Sequence, residues 1–213
     1  MLEIDSPFFL PLESLPVNPE WDSVFGRSGL LHLEIGCGTG HFAVEMALSR
    51  PEINFIALDY YNKGCLKSSR RAERHGAANV RVVREEARTF ITRCIKPSSL
   101  QALYINCPDP WPKKRHRKRR LVNESFARFM EPFFIPGADF FFASDFDDYA
   151  IDVADMMKRQ ASFANMLGPE GWVHDLPGYP RTKYMKRFLA EGKRIYFLHF
   201  RYTGEPAWEV CGE

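Results

Sequence analysis

Chemistry concentrates in one segment, Asn106, Cys107, Pro108, Asp109, Pro110, Trp111 and Pro112, followed at once by Lys113, Lys114, Arg115, His116, Arg117, Lys118, Arg119 and Arg120. Three prolines restrict the backbone on both sides of Asp109 and Trp111, so a carboxylate and an aromatic ring are held stiffly in one loop. An ionised carboxylate only accepts hydrogen bonds, which suits Asp109 to the N–H donors of a ligand or to a cationic ligand group. Trp111 offers a face for stacking a base, or it braces its own loop. The run from Lys113 to Arg120 holds seven cations in eight residues, whereas the whole chain carries only +2, which leaves −5 for the remainder. A mildly acidic body with one concentrated cationic segment suits a polyanion. A nuclear-import signal is the competing reading, and the position of the run between a strand and a helix disfavours it.

A second set of residues surrounds a glycine-rich turn. Glu34 precedes Gly36, Gly38 and Gly40 in a G-x-G-x-G pattern, with His41 where a dinucleotide fingerprint would carry its third glycine. A carboxylate two residues before the first glycine repels a pyrophosphate and accepts hydrogen bonds from a charged amino-acid group. Asp59 follows about 20 residues after the turn, where an acid can accept from ribose hydroxyls. Glu86 closes the next strand and is placed to reach an adenine edge, with Glu85 as its close rival. Any one of these acids alone reads as a solvated strand end. Three in register beside a glycine turn favour S-adenosylmethionine over a nicotinamide cofactor.

The elements that must hold these groups follow from periodicity. Strands are expected at residues 30–35, 54–59, 79–83, 100–106, 138–143, 172–174 and 194–202. Helices are expected at 41–50, 62–75, 87–94, 121–134 and 148–163, the second of them basic and ended by Gly76. Alternation of strand and helix predicts an α/β fold: one doubly wound, mainly parallel, Rossmann-like sheet. Residues 1–29, with Pro7, Pro11, Pro16 and Pro19, read as a lead-in of little regular structure, and 30–213 as the domain. Ligands of such sheets bind at the carboxyl ends of the strands, where every polar feature above falls.

Bulk properties narrow the class. The chain has 213 residues, 45% hydrophobic and 26% charged, a composition of folded rather than disordered proteins. Its start is acidic where a secretory signal is basic, and no apolar run approaches the roughly 18 residues of a membrane span. Cys37, Cys65, Cys94, Cys107 and Cys211 form an odd set without C-x-x-C spacing, so neither a metal site nor a disulfide framework is expected and a cytoplasmic location fits.

From about residue 31 to 202 the chain resembles the bacterial tRNA (guanine-N7)-methyltransferase family, whose hallmark is a P-D-P-W-P-K-K-R-H segment followed by more basic residues. The resemblance implies that the doubly wound sheet is of the class I S-adenosylmethionine-dependent methyltransferase type, with S-adenosyl-L-methionine as cofactor, held by Glu34, Asp59, Glu86 and Asp109 beside the glycines. It implies tRNA as partner, with Lys113 and Asp145 as substrate contacts and Arg115, His116, Arg117, Lys118, Arg119 and Arg120 as the RNA-binding segment. A guanine of the variable loop is the implied target. Asp145 stands in the family's T-D position, with Ser144 replacing threonine. Thr182, Lys183 and Tyr184 match the first three positions of the family's T-[KE]-[YF]-E motif, and Met185 stands where the family has glutamate. Asp147 and Asp148 are expected as exposed acids opening the next helix.

Guanine N7 carries an exposed lone pair, so its methylation needs no general base. Asp109 is then the residue expected to serve catalysis, by stabilising charge that develops on the purine. Two other activities fit parts of the pattern: an exocyclic-amine adenine methyltransferase, disfavoured because Asp109 interrupts the two prolines, and a non-catalytic RNA-binding module, disfavoured by the intact glycine turn.

Overall fold

The computed structural model describes residues 3–204. Eight strands form one sheet: β1 (Phe9–Leu10), β2 (Leu30–Ile35), β3 (Ile53–Asp59), β4 (Val80–Arg84), β5 (Leu100–Asn106), β6 (Phe134–Ser144), β7 (Phe163–Asn165) and β8 (Tyr196–Tyr202). Their spatial order is β1-β4-β3-β2-β5-β6-β8-β7. Strands β1 to β6 pair parallel, and β8 runs antiparallel between β6 and β7. The order reverses direction at β2, so the crevice at a topological switch point opens above the tips of β2, β3 and β5.

Seven helices cover the faces: α1 (Trp21–Phe25), α2 (His41–Ser49), α3 (Asn62–Arg74), α4 (Ala87–Cys94), α5 (Glu124–Met130), α6 (Asp147–Lys158) and α7 (Lys183–Ala190). Central strands are buried on both sides; in β3 everything from Ile53 to Leu58 is inaccessible, which is why they read as continuous apolar runs. Leu31, Leu33 and Ile35 point to a core shared with α1, α4, α5 and α6. Phe55, Ala57 and Tyr104 point to the opposite core, shared with α2, α3 and α7. Because strand side chains alternate, Glu34 is directed to the second face, under α2.

Several expectations change. Residues before 30 are built into the core: β1 pairs with Val82 and Val83, while Leu15, Trp21 and Phe25 are buried. The Trp21 indole donates to the Cys94 carbonyl at 2.8 Å, closing α1 onto the end of α4. Prolines concealed this segment, because they mark turns without revealing the short apolar pieces between them. The helix expected at 121–134 starts later, where the Asn123 side chain accepts the Phe126 amide, and Pro132 converts its end to a 3-10 turn. Strand β6 begins at Phe134, not at 138: its register on β5 shifts between Phe134 and Asp139, and Gly137 with φ 83° absorbs the irregularity. Helix α6 stops at Lys158, so Phe163 belongs to β7. Of the strand expected at 172–174 only Val173 pairs, as an isolated bridge to Phe197. Helix α7 lies inside the stretch read as a connection. Residues 205–213, assigned with Cys211 to the same domain, lie outside the described residues. Among the described residues no helix is long and apolar enough to cross a membrane.

Trp21→Ala should cost about 3–5 kcal/mol, because an indole and its hydrogen bond leave a cavity between α1 and α4. Urea unfolding of the variant measures this; an unchanged midpoint would detach the early segment from the core.

Candidate active site

The turn from β2 into α2 is anchored to β3. Amides of Gly36 and Cys37 donate to the Leu58 carbonyl at 2.8 and 3.0 Å, and the Gly38 amide donates to Asp59 Oδ2 at 2.7 Å. Gly40 has φ 71° and must be glycine for a second reason: a β-carbon there would meet Ser68 of α3 at 2.9 Å. On the other side of the turn Gly36, φ 81°, has open space where a side chain would project, so its main chain can be approached by a ligand.

Glu34 is 1% exposed. Its Oε1 accepts from Asn106 Nδ2 at 3.1 Å, and Asn106 Oδ1 in turn accepts from the Tyr179 hydroxyl at 2.8 Å. Oε2 has no partner. Burial pushes the Glu34 carboxyl up to about 8, against the opposing pull of the Asn106 hydrogen bond. A buried acceptor without a donor is costly, and here it faces a cleft. A cationic amino group entering that cleft would both satisfy Oε2 and favour the ionised carboxylate.

The cleft beside Glu34, about 320 Å³, is bordered by the glycine turn, His41, Asn106, Thr182, Lys183 and Tyr184. A wider one of about 800 Å³ adjoins it through Gly36 and Asn106 and is bordered by Asp59, Cys107, Asp109, Trp111 and Arg119. The two sequence motifs thus meet at one place. Asp59 is already engaged, accepting the Gly38 amide and, through Oδ1, the Tyr61 amide at 2.8 Å. Glu86 borders neither cleft. It caps α4, accepting from the Thr89 amide at 2.9 Å; although partial burial opposes it, the Thr89 and Arg88 amides hold its carboxyl below the usual range. Glu85 accepts the Glu86 amide at 2.8 Å and also lies outside both clefts.

The loop after β5 is held in an unusual backbone state: Cys107 and Trp111 have φ of 48° and 44°, rare for residues with side chains. Trp111 borders the wider cleft and also braces its own loop, with His116 edge-on at 5.9 Å and the Arg119 guanidinium 5.0 Å from its ring centre. Lys114–Arg119 form a 3-10 helix that the sequence did not announce.

Arg120 departs from its expected place in the RNA-binding segment. It is 5% exposed, donates to Asp148 and Asp152 at 2.6 Å each and to the Pro110 carbonyl at 2.9 Å, and lies 4.6 Å from the Tyr149 ring centre. Arg117 also pairs with Asp148, at 2.8 Å. Asp148 is therefore a partner of the basic run, not simply an exposed acid of the helix start. Lys113, Lys114, Arg115, Lys118 and Arg119 stay exposed, and His116 is partly covered.

Asp145, at the tip of β6, is paired with Lys193 at 3.0 Å. It lies close enough to Cys107 to help burial push that thiol up to about 12. Burial also drives the Cys37 thiol far upward, so neither cysteine is poised as a nucleophile. Thr182 caps α7 by accepting the Met185 amide at 3.1 Å, which leaves Lys183 and Tyr184 facing the cleft. Met185 is fully buried in the core under α7, so its position serves packing in this chain. Sequence reasoning missed Asn106, Tyr179 and Asp152. A polar residue closing the apolar strand β5 was a signal for Asn106; Tyr179 and Asp152 carried none.

A sheet of this order with a glycine turn and acids at its strand tips is the architecture of class I methyltransferases. Solved structures with the same fold include the 16S rRNA methyltransferase KamB, with TM-score 0.58 and 17% identity over 86% of this chain and 93% of that one. They also include a 16S rRNA (adenine(1408)-N(1))-methyltransferase solved with cosubstrate SAM from Catenulisporales acidiphilia, with TM-score 0.52 and 16% identity over 88% and 91%. The family model described as "Putative methyltransferase" matches residues 28–198. Among curated relatives, the tRNA (guanine-N(7)-)-methyltransferase of Geobacter metallireducens is 56% identical over 97% of this chain and 98% of its own length. That of Syntrophotalea carbinolica is 49% identical over 99% and 90%. The chain belongs to the bacterial tRNA (guanine-N7)-methyltransferase family.

Two outcomes follow from the site's electrostatics. Because the folded pKa of Glu34 is raised, its contribution to stability is fully present below the unfolded value and is lost as pH rises through about 8. Glu34→Gln should therefore lose less stability than the parent between pH 5 and 9, as read by thermal melting of the two proteins; parallel pH profiles would contradict the burial argument. Arg120→Ala should cost about 1.5–3 kcal/mol, the size of charge-assisted hydrogen bonds lost with its packing on Tyr149, while Arg117 remains as the partner of Asp148. Denaturant unfolding checks it, and a loss under about 0.5 kcal/mol, the range of ordinary surface changes, would assign Arg120 to the free surface.

Proposed function

We propose that this protein transfers the methyl group of S-adenosyl-L-methionine to N7 of a guanine in tRNA. The observation that carries the reading is the convergence of Asp109 and Trp111 with Asp59 and the glycine turn around one cleft, next to the buried carboxylate whose Oε2 lacks a donor. Identity with the curated relatives supports the same substrate and product.

S-adenosylmethionine supplies an electrophilic methyl group on a sulfonium. Glu34 takes its amino group, Gly36, Gly38 and Gly40 give the main chain close approach, and Asp59 keeps lone pairs for the ribose hydroxyls. Glu86 is the adenine-side acid only if it leaves its capping role. Asp109, Asp145, Lys113, Thr182, Lys183 and Tyr184 orient the purine, and the exposed cations of residues 113–119 hold phosphates. Asp109 and Asp145 stabilise the positive charge the guanine acquires. No side chain needs to remove a proton, and burial keeps the Cys37 and Cys107 thiols protonated beside the cleft. The four described cysteines are free thiols, which supports work in the cytoplasm.

Incubation with unmodified tRNA and S-adenosylmethionine, followed by mass spectrometry of the nucleosides, should yield 7-methylguanosine, and mapping should place it in the variable loop. Methylated adenine with intact guanine would overturn the reading. Asp109→Ala should lower turnover by about 10²-fold or more, the size of one lost electrostatic contact, while tRNA affinity persists.

A further inference from the structure

Helix α3 carries a feature that this activity has not used. Lys63, Lys67, Arg70 and Arg74 fall at spacings of four, three and four, which puts all four within an arc of roughly 60° and over a length of about 16 Å. All four are exposed, and none forms an ion pair among the described residues. The helix has no acid in its first turn, although cations there oppose the helix dipole, and like charges at i, i+4 repel. The stripe is thus held against the local preferences of the helix.

Its position is fixed by the opposite side of α3. Ser68 donates to the Gly38 carbonyl at 3.1 Å and Arg71 to the Thr39 carbonyl at 3.0 Å, so α3 is clamped to the glycine turn. Arg71 and His75 at the end of α3 and Lys183 and Lys186 of α7 all act on His41, and Lys183 borders the cleft lined by Gly38 and Thr39, so the start of α7 adjoins the turn to which α3 is clamped. Helix α3 leaves the tip of β3, whereas the segment of residues 113–120 leaves the tip of β5. Those strands are separated only by β2, two strand spacings or about 10 Å.

We propose that the exposed face of α3, continued by Lys183 and Lys186, is a second phosphate-binding surface for the tRNA, on the opposite flank of the cleft from residues 113–119. This rests on the reading of tRNA as substrate. Internal pairing of Arg117 and Arg120 reduces the free charge of the basic run, and α3 adds a comparable number of uncommitted cations across the cleft mouth. Backbone gripped on both flanks holds the intervening nucleotide over Asp109.

The test compares the parent with a variant carrying Lys63→Gln, Lys67→Gln, Arg70→Gln and Arg74→Gln, and with a control carrying Arg50→Gln, Lys96→Gln, Arg128→Gln and Lys158→Gln. Unmodified tRNA is titrated over about 50 to 200 mM salt, alongside calorimetry with S-adenosylmethionine and a thermal melt. The α3 variant should keep its melt and cofactor affinity, bind tRNA at least roughly tenfold more weakly, and lose roughly 2 to 3 units of salt slope for three or four lost phosphate contacts. The control should keep the parent's slope. In turnover the α3 variant should raise KM for tRNA and leave kcat near the parent's. An α3 variant with the parent's slope overturns the proposal, as expected if the stripe serves an acidic protein instead; equal loss in the control overturns it as a mere net-charge effect. A parent that binds tRNA but methylates no guanine refutes the activity, and the slope comparison still judges the surface.

Discussion

A carboxyl group with one oxygen unpaired, buried beneath the glycine turn at the edge of a cleft, is the constraint around which this molecule is arranged. Glu34 projects to the face of β2 covered by α2, and the Asn106 amide at the neighbouring strand tip donates to one of its oxygens. Asn106 is held by Tyr179, from the segment that leads into α7, so the glycine-turn side and the α7 side of the cleft share one hydrogen-bond chain. Desolvation makes such a group expensive while the pocket is empty of positive charge. The same desolvation makes it a strong acceptor for a cation, since an interaction shielded from water is far less screened. Stability is thus given up at the place where binding is needed.

The basic run shows a related division of labour. Seven cations in eight residues would repel one another and leave the loop without a preferred position. Arg120 turns inward, between Asp148 and Asp152 of α6 and against Tyr149, and thereby fastens the end of the run to the sheet's other face. Trp111 fastens the beginning, between His116 and Arg119. What stays outside is a short turn of exposed cations whose base is rigid. The loop's left-handed residues, Cys107 and Trp111, store strain that these contacts hold in place.

Most strands and helices near the site were legible because parallel strands are buried on both faces and read as unbroken apolar runs. Such was the case for β2, β3 and β5, whose tips carry Glu34, Asp59 and Asn106. Other elements were less so. Pro136 and Gly137 fell between the helix expected to end at 134 and the strand expected from 138, yet the sheet accommodates them as an irregularity within β6. The early segment hid its strand and helix between prolines, since a two-residue strand has no periodicity to detect. Helix α7 was overlooked because only one of its residues, Met185, is fully buried.

The chain's residues alone determined which groups lie at the strand tips, for the strands and the polar residues that end them are written in local patterns of apolar and polar side chains. They determined the chemistry on offer as well: acids by a glycine turn, a proline-stiffened aspartate, a concentrated run of cations. Tertiary structure alone decided which of those charges are free. Arg120 and Lys118 are neighbours of like type, and only the approach of α6, brought by a sheet pairing between residues distant in sequence, buries one and leaves the other in water. Partnership of this kind depends on distances across the fold, and no local pattern encodes them.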